Sequence, residues 1–358
     1  MKIIIAGDGK VGMTLTRQLS AEGHDLTLID NDLSALESSE ERYDIMVVHG
    51  NCASMPVLRQ AGILEADLLI AATGADEINL LCCMSAHQMN KKLHTIARIR
   101  NPEYTSQIYE IRDAFALSLT VNPERQAAEE IEKLLKYPGF LRRDTFANGR
   151  VEIVELRINP DSKLCNRPLS QMNDIVNCQV LVCTVLRNGA AVAPDGNFVL
   201  QAGDRIFVTA ARADLTVLLK NLGIITRRAK QVILCGGGRI SFYLAKLLEK
   251  DGISVKLIEK EHGRCLDLAD QLEDAAVVCG DCSDQSLLES EHLDDCDALV
   301  TLTGLDELNI IVSLYGNSRG VPQIITKLGR MDNTRIVDDL PLGSVIKPKE
   351  LCCNIIVR

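Results

Sequence analysis

Residues 2–12 read Lys2-Ile-Ile-Ile-Ala-Gly7-Asp8-Gly9-Lys10-Val11-Gly12, and they are the strongest indication of the architecture of the first part of the chain. An apolar strand leads into a G-x-G-x-x-G turn. Apolar side chains then recur every fourth residue, at Val11, Leu15 and Leu19, which is typical of an amphipathic helix. An acid, Asp30, ends the next apolar stretch. Strand, glycine turn, helix and acid in this order predict a dinucleotide-binding unit.

The same element occurs a second time, as Val232-Ile-Leu-Cys-Gly236-Gly237-Gly238-Arg239-Ile240-Ser241, with Glu259 as its acid. The repetition extends well beyond the glycines. The matched segments are 50–52 with 280–282, 67–79 with 297–309, and 96–98 with 325–327. Most matched residues lie 229 or 230 positions apart. Spacing this constant over a whole unit predicts one fold used twice.

Short apolar segments alternate with helical patterns in the first repeat, which predicts a doubly wound parallel sheet. The predicted strands are 2–6, 26–30, 45–48, 67–72, 94–99 and 117–120. Asp32, Ser54 and Asp76 are the predicted helix N-caps. A further helix, about 123–136, is expected to end at Tyr137-Pro138-Gly139.

Between the repeats the pattern changes to alternating strands, which predicts a small α+β domain. Residues 151–158, 180–186 and 205–209 read as strands, with hairpin signals at Asn188-Gly189 and Asp195-Gly196. Residues 214–222 look helical, with Gly223 as a stop. We therefore expect an α/β protein with two Rossmann-like doubly wound parallel-sheet domains, 1–140 and 229–358, separated by a small α+β domain, 141–228. The second repeat lacks a small domain of its own, so we expect either a shortened chain or a native chain that continues.

Composition limits the classes of function. The formal net charge of −10 argues against nucleic acid as a partner. No apolar run approaches the roughly 20 residues that span a bilayer, and no signal peptide is visible, so we expect a cytosolic protein without direct membrane insertion. The 13 cysteines, many of them inside apolar segments, are expected to be reduced. Cys279-Gly-Asp-Cys282 is a C-x-x-C, for which redox or metal chemistry is the less favoured alternative.

The glycines of the first loop have separate expected roles. Gly7 allows the turn, Gly9 lets the backbone approach a pyrophosphate, and Gly12 lets helix and strand pack closely. The N–H groups and dipole of the helix that starts near Lys10 favour an anion. Asp30 can accept hydrogen bonds from a ribose diol and would repel a 2′-phosphate, which favours NAD over NADP.

The second loop differs where Ser241 replaces Gly12 and Glu259 replaces Asp30. Serine is small, but it is less suited than glycine to close helix–strand packing. A second nucleotide site is expected here, and a vestigial structural copy is the alternative.

Further candidates lie at the ends of the third to fifth strands, where open α/β sheets bind ligands. The candidate contacts to base, ribose or phosphate are Asn51, Asp281, Thr73, Gly74, Thr303, Gly304, Arg98 and Lys327. The alternative is that they are turn, cap or solvated surface residues. The first-turn acids Asp76-Glu77 and Asp306-Glu307 are interpreted as capping acids rather than metal ligands, and no metal site is predicted.

The duplicated unit, with MKIIIAGDGKVG and later QVILCGGGRIS, resembles the RCK, or KTN, domain of potassium-transport regulators. The order of nucleotide domain, small domain and second nucleotide domain is similar to that of peripheral subunits of bacterial potassium uptake systems. The resemblance implies a homo-oligomeric ring, a dimer or tetramer, on the inner face of an integral membrane potassium transporter subunit. It also implies that NAD(H), ATP or ADP binds and shifts this ring. The implied site residues are Gly7, Asp8, Gly9, Lys10, Val11, Gly12, Asp30, Asn51, Cys52, Thr73, Gly74 and Arg98, and Gly236, Gly237, Gly238, Arg239, Ile240, Glu259, Asp281, Cys282, Thr303, Gly304 and Lys327.

An NAD-dependent dehydrogenase is the rival hypothesis. It needs a proton donor near the nicotinamide, often His, Lys or Tyr. Residues 141–229 contain no His or Tyr, and few lysines. No catalytic residue is predicted, and a nucleotide-sensing scaffold for another partner is the remaining alternative. In the regulatory hypothesis the nucleotide must bind two states of the assembly unequally.

Overall fold

A computed structural model describes residues 1–136, 142–146, 151–222, 229–329 and 340–357. Contacts divide the chain into two compact units. The first comprises Met1–Ala127 with Lys347–Arg358, and the second comprises Ala128–Ile346.

The first unit contains a six-stranded parallel sheet in the order β3-β2-β1-β4-β5-β6. Its strands are β1 (Lys2–Ala6), β2 (Asp25–Asp30), β3 (Met46–His49), β4 (Leu68–Ala71), β5 (His94–Arg98) and β6 (Leu119–Val121). The helices between them are α1 (Lys10–Ala21), α2 (Leu33–Glu40), α3 (Met55–Gln60), α4 (Asp76–Met89) and α5 (Pro102–Ile111). This strand order is that of the Rossmann fold, so the expected doubly wound sheet is confirmed, with strand bounds within two residues of the prediction.

Apolar cores cover both faces of this sheet. In β1, Ile3, Ile4 and Ile5 are all buried, as expected for a strand covered on two sides. Ile4 packs in one core cluster, whereas Ile3 and Ile5 pack in the other with Val11 and Leu15 of α1.

The last helix of the described chain, Pro348–Val357, belongs to the first unit although it follows the second repeat. We call it α13. It packs against α1, and Cys352 and Cys353 are fully buried in the same core as Leu15 and Leu19. The sequence gives no local sign of this placement.

The second unit contains a matching parallel sheet in the order β14-β13-β12-β15-β16-β17. Its strands are β12 (Gln231–Cys235), β13 (Ser254–Glu259), β14 (Ala276–Cys279), β15 (Ala298–Thr301), β16 (Gln323–Lys327) and β17 (Ser344–Ile346). Its helices are α9 (Arg239–Lys250), α10 (His262–Gln271), α11 (Gln285–Ser290) and α12 (Asp306–Ser318). The predicted repetition of the fold is therefore confirmed.

The helix predicted near 123–136 is observed as α6 (Pro123–Lys136). Its residues from Ala128 onward belong to the second unit. Within that unit, Gln323 Nε2 donates to the Leu134 carbonyl at 2.9 Å, and Lys136 forms an ion pair with Asp251 at 2.8 Å.

The small α+β region lies in the second unit as a five-stranded antiparallel sheet in the order β10-β9-β11-β8-β7. Its strands are β7 (Arg142–Phe146), β8 (Val151–Arg157), β9 (Leu181–Arg187), β10 (Ala190–Val192) and β11 (Arg205–Ala210), and its helices are α7 (Met172–Val176) and α8 (Arg212–Asn221). Asn188 and Gly189 both have positive φ and close the β9–β10 hairpin, as predicted.

Two local predictions were wrong. Asp195-Gly196 forms a turn but no hairpin, because β10 ends at Val192 and pairs with β9 alone among the described strands. Asp76 is the first residue of α4 rather than its cap, since Ala75 occupies the N-cap position.

Of the other predicted caps, Asp32 accepts from the Ser34 and Ala35 N–H groups. Ser54 occupies the cap position but makes no capping hydrogen bond. The predicted stops at Tyr137-Pro138-Gly139 and Gly223 lie outside the described residues. Among the described helices, none has the length and apolar character needed to cross a membrane.

Candidate functional site

The first glycine loop lies at the carboxyl edge of its sheet, between the ends of β1 and β4. Gly7 has φ +106°, and a Cβ there would stand 2.9 Å from the Thr73 backbone. A Cβ on Gly12 would meet the Gly7 carbonyl oxygen at 1.8 Å. Both positions therefore require glycine, as the sequence predicts.

Gly9 is different, because the space in front of it is open. Apart from its chain neighbours, no atom of the described residues lies within 4 Å of a Cβ built on Gly9, and the same holds for Gly238 in the second loop. Gly74 and Gly304, which follow β4 and β15, are equally open. The open side of each loop is where the fingerprint expects the pyrophosphate.

The second loop has the same turn but a different helix start. Gly236 has φ +102°, and its Cβ would lie 3.0 Å from the Thr303 backbone. Ser241 is fully buried and donates its hydroxyl hydrogen to the Gly236 carbonyl. Serine at this position therefore ties the helix to the loop instead of disrupting the turn.

The two predicted ribose acids hold their own loops in place. Asp30 accepts from the Asp8 N–H at 2.5 Å and from the Asp32 N–H at 2.9 Å. Glu259 accepts from the Gly237 N–H at 2.6 Å and from the Glu261 N–H at 2.9 Å. Each carboxylate retains lone pairs for a ligand, so a structural role and a binding role are compatible.

Asp8 introduces a buried acid into the first loop. The side chain accepts from the Ser39 hydroxyl at 2.8 Å, while its Oδ1 has no hydrogen-bond partner among the described residues. Burial raises the pKa of the Asp8 carboxyl, and the charges of Asp30 and Asp32 raise it further, although the Ser39 hydrogen bond lowers it.

The second loop has no such acid. Gly237 stands in place of Asp8, and Leu268 stands in place of Ser39. A Cβ on Gly237 would lie 2.6 Å from Leu268 Cδ1, so the leucine fills the space that the aspartate occupies in the first loop. Arg264 Nε donates to the Gly237 carbonyl at 2.9 Å, which brings a cation to this loop.

The residues that begin the two loop helices share one arrangement. Lys10 and Arg239 are exposed, whereas Val11 and Ile240 are buried in the sheet packing. Of these four predicted site residues, only the two cations present side chains to a ligand.

Thr73 and Thr303 are held by asparagines that the sequence analysis did not single out. The Thr73 N–H and hydroxyl both donate to Asn79 Oδ1, at 2.9 and 2.7 Å. Asn79 Nδ2 donates to the Arg98 carbonyl at 2.8 Å. Asn309 contacts Thr303 and Lys327 in the same way. Asn79 and Asn309 occupy matched positions in the two repeats, and this could have identified them from the sequence.

Arg98 and Lys327 end equivalent strands but have different partners. Arg98 forms an ion pair with Glu124 at 3.7 Å, and burial lowers the pKa of its guanidinium. Its Nε has no hydrogen-bond partner among the described residues. Lys327 Nζ instead donates to the Leu302 and Thr303 carbonyls, at 3.2 and 2.5 Å.

The first-turn acids act as backbone anchors. Asp76 accepts from the Arg100 and Asn101 N–H groups, both at 2.7 Å, and Asp306 accepts from the Gly329 N–H at 2.9 Å. They fix the segment after the fifth strand. The described residues contain no group of three or more His, Cys, Asp or Glu side chains that could hold a metal ion.

The residues predicted after the third strand separate into two kinds. Asn51 and Asp281 are exposed. Each side chain accepts a hydrogen bond from the backbone two residues later, from the Ala53 N–H and the Ser283 N–H respectively. The bond from Ser283 lowers the pKa of Asp281. Cys52 and Cys282 are buried in the apolar cores. Their thiols are therefore enclosed by apolar side chains, and the prediction that these two residues contact a nucleotide stays a prediction.

The chain is similar to known proteins over nearly its whole length. A family profile described as the TrkA-N domain matches residues 3–117 and 232–348, and one described as the TrkA-C domain matches residues 153–223. The chain is 33% identical over 356 residues to the Trk system potassium uptake protein TrkA of Haemophilus influenzae, covering 98% of this chain and 77% of the relative.

Two solved structures show the same fold. The GsuK channel bound to NAD aligns with a TM-score of 0.71 at 18% identity, covering 99% of this chain and 63% of that chain. GsuK bound to ADP aligns with a TM-score of 0.61 at 15% identity, covering 99% and 68%.

Proposed function

The chain belongs to the TrkA family of potassium uptake proteins, and on this premise we propose that it is a regulatory subunit that binds adenine nucleotides and gates a membrane potassium transporter. The single observation that carries the proposal is the pair of open glycine loops. In both repeats the backbone in front of Gly9 or Gly238 is unobstructed, beside a helix N-terminus and a strand-end acid. Such a site accepts the anionic linker of a nucleotide.

NAD(H) is the proposed ligand, with ATP or ADP as further ligands; NAD and ADP are the nucleotides named in the two GsuK structures. In the first site Asp30 accepts from the ribose hydroxyls, and Lys10 neutralises phosphate. In the second site Glu259 and Arg239 have these roles. Thr73, Gly74 and Arg98, and their counterparts Thr303, Gly304 and Lys327, border the far side of each crevice.

The two sites are proposed to differ in nucleotide preference because their loops differ in charge. The first has a buried carboxyl at Asp8, whereas in the second the guanidinium of Arg264 donates to the loop carbonyl of Gly237. A more highly charged polyphosphate is therefore favoured at the second loop, and a dinucleotide with fewer charges at the first.

The proposed unit of function is a homo-oligomeric ring, a dimer or tetramer, on the inner face of the cell membrane. Its partner is an integral membrane potassium transporter subunit of the TrkH or TrkG kind. Residues 1–140 and 229–358 are the proposed nucleotide domains, and residues 141–228 are the proposed small domain between them. The nucleotide changes ion flux only if it binds two states of the ring with different affinity.

No enzymatic activity is proposed. The small domain lacks the His and Tyr residues that most often serve as proton donors to a nicotinamide substrate. The buried side chains of Asp76, Asn79, Asp306 and Asn309 around the crevices bind backbone groups.

The test is a calorimetric titration of NAD, NADH, ATP and ADP on the purified chain, with oligomer size followed by light scattering. We expect saturable binding of at least one nucleotide at each loop and a ligand-dependent change in oligomer size or shape. NADH turnover with carbonyl or hydroxy-acid substrates would favour a dehydrogenase. Absence of binding at millimolar nucleotide would refute the proposal.

A further inference from the structure

A cluster of two thiols and an imidazole lies in the second unit at the end of β14. Cys279 is the last residue of this strand, and its side chain is exposed. His262 begins α10, and its Nδ1 lies 3.7 Å from Cys279 Sγ. In the tautomer with hydrogen on Nε2, the thiol donates to Nδ1.

Cys265 is the second thiol of the cluster and lies one helical turn after His262. It is buried and its Sγ donates to the Glu259 carbonyl at 3.1 Å, and Glu259 pairs with Cys279 in the sheet register, so the two thiols meet at the same residue. Burial raises the pKa of Cys265 to about 11, and a smaller part of this shift comes from its interaction with Cys279. Cys265 is therefore protonated at neutral pH, and Cys279 is the accessible member of the pair.

The thiol near Cys279 is thus Cys265 and not Cys282, the second cysteine of the C-x-x-C. Cys282 belongs to the apolar core, together with the fully buried Cys235. The first repeat has no equivalent cluster, because Leu33, Leu36 and His49 stand at the three positions. The cluster is an addition to the second repeat and not part of the shared fold.

We propose that Cys279 and Cys265 form a thiol–disulfide modification site for low-molecular-weight disulfides, with Cys279 as the attacking thiol and Cys265 as the resolving thiol. An imidazole next to an accessible thiol and a second thiol within reach is the arrangement that this chemistry requires.

The reaction is balanced as two exchanges. Cys279 transfers its proton to His262, and the thiolate attacks one sulfur of the disulfide R–S–S–R; the S–S bond breaks, and the first RS⁻ leaves. Cys265 then loses its proton and attacks Cys279 Sγ, and the second RS⁻ leaves. Two protein thiols are oxidised to one disulfide, the external disulfide is reduced to two RSH, and the two protons end on the leaving thiolates.

Oxidation affects the second nucleotide loop directly. Cys265 loses the hydrogen that it donates to the Glu259 carbonyl, and Glu259 is the acid that holds the Gly237 N–H. Cys279 pairs with Glu259 in the sheet register. A disulfide between Cys265 and Cys279 joins α10 to β14, the two elements that contact Glu259.

The experiment uses the reduced full-length chain with glutathione disulfide as the probe, quenching by alkylation and peptide mass spectrometry. We expect a Cys265–Cys279 crosslink with the loss of two hydrogens. Cys265→Ser should instead accumulate a mixed disulfide at Cys279, and Cys279→Ser should prevent both products. Cys183, which is also exposed, serves as the internal control in the same sample.

His262→Leu tests the role of the imidazole, with leucine as the residue that the first repeat carries at this position. We expect modification of Cys279 to slow by roughly 10-fold or more, with Cys183 unaffected and the melting temperature unchanged. A crosslink from Cys279 to Cys282, or modification of Cys183 as fast as that of Cys279, would overturn the proposal. So would an unmodified Cys279 in the folded protein. None of these three outcomes depends on whether nucleotides bind.

Discussion

The two repeats have the same fold, but different side chains lie beneath their glycine loops. In the first, Asp8 and Ser39 form a buried polar pair beneath the loop; in the second, Gly237 and Leu268 fill the same space with hydrocarbon. The strand-end acid holds the loop in both. The loop backbone is therefore the same in both repeats, whereas the charge of the side chains beneath it differs. We expect the shared backbone to provide nucleotide binding and the differing side chains to set which nucleotide is preferred.

The largest expected effect comes from closing each loop in turn. Gly9→Val and Gly238→Val place a branched side chain where the pyrophosphate is proposed to lie, and each should weaken binding at its own loop by about 100-fold or more. The measurement is calorimetry with NADH and ATP on both variants. Because the space is open and the backbone at Gly9 and Gly238 is extended, we expect the melting temperatures to stay near that of the parent.

A variant that loses one binding event while the other persists would show that the loops act independently. Unchanged binding in both variants would show that the phosphates lie elsewhere. Gly12→Val is the contrasting control, because its Cβ collides with the Gly7 carbonyl and should destabilise the fold itself.

A transplant of the polar pair gives the next largest effect. Gly237→Asp alone should lower the free energy of unfolding by about 1–3 kcal/mol, since its Cβ overlaps the Leu268 side chain. Adding Leu268→Ser should restore most of this loss by recreating the pair of the first loop. A double-mutant cycle in urea measures the coupling, and additive losses would contradict the proposed pairing.

The smallest expected effect is the pH dependence that Asp8 gives to the first loop. Because its pKa is raised in the folded protein, its contribution to stability is present at low pH and is lost as pH rises through that pKa. The ionised carboxylate also repels an anionic ligand. Nucleotide affinity at the first loop should therefore fall as pH rises.

Asp8→Asn removes this charge and should strengthen nucleotide binding at neutral pH by about fivefold, or about 1 kcal/mol. The dependence of affinity on pH should become flatter in the variant, as measured in a Gly238→Val background that isolates the first loop. An unchanged pH profile would exclude Asp8 as its source.

Much of the fold could be predicted because its signals are local. The glycines at 7 and 12 and the apolar strand before them predict the loop, and the structure shows the steric reason at both positions. The Asn188-Gly189 hairpin and the helix at 123–136 are equally local.

The contacts that differentiate the sites are not local and could not be predicted. Asp8 meets Ser39 across 31 positions, and Cys279 lies beside His262, 17 positions away, instead of the nearby Cys282. Such pairings depend on which helix faces which strand end, and a motif does not contain that information. Comparing the repeats position by position would have shown that Asp8 and Ser39 change together.

The placement of α13 has a consequence for how the protein is made. Residues 1–127 emerge from the ribosome first, yet the helix that covers α1 in the finished first unit emerges only after the whole second repeat. At 5–20 residues per second, the part of this core that α13 covers stays exposed for roughly 12 to 46 s, although α1 already packs on the sheet. During that interval the nascent chain is a natural client for a chaperone that shields newly synthesised apolar surface.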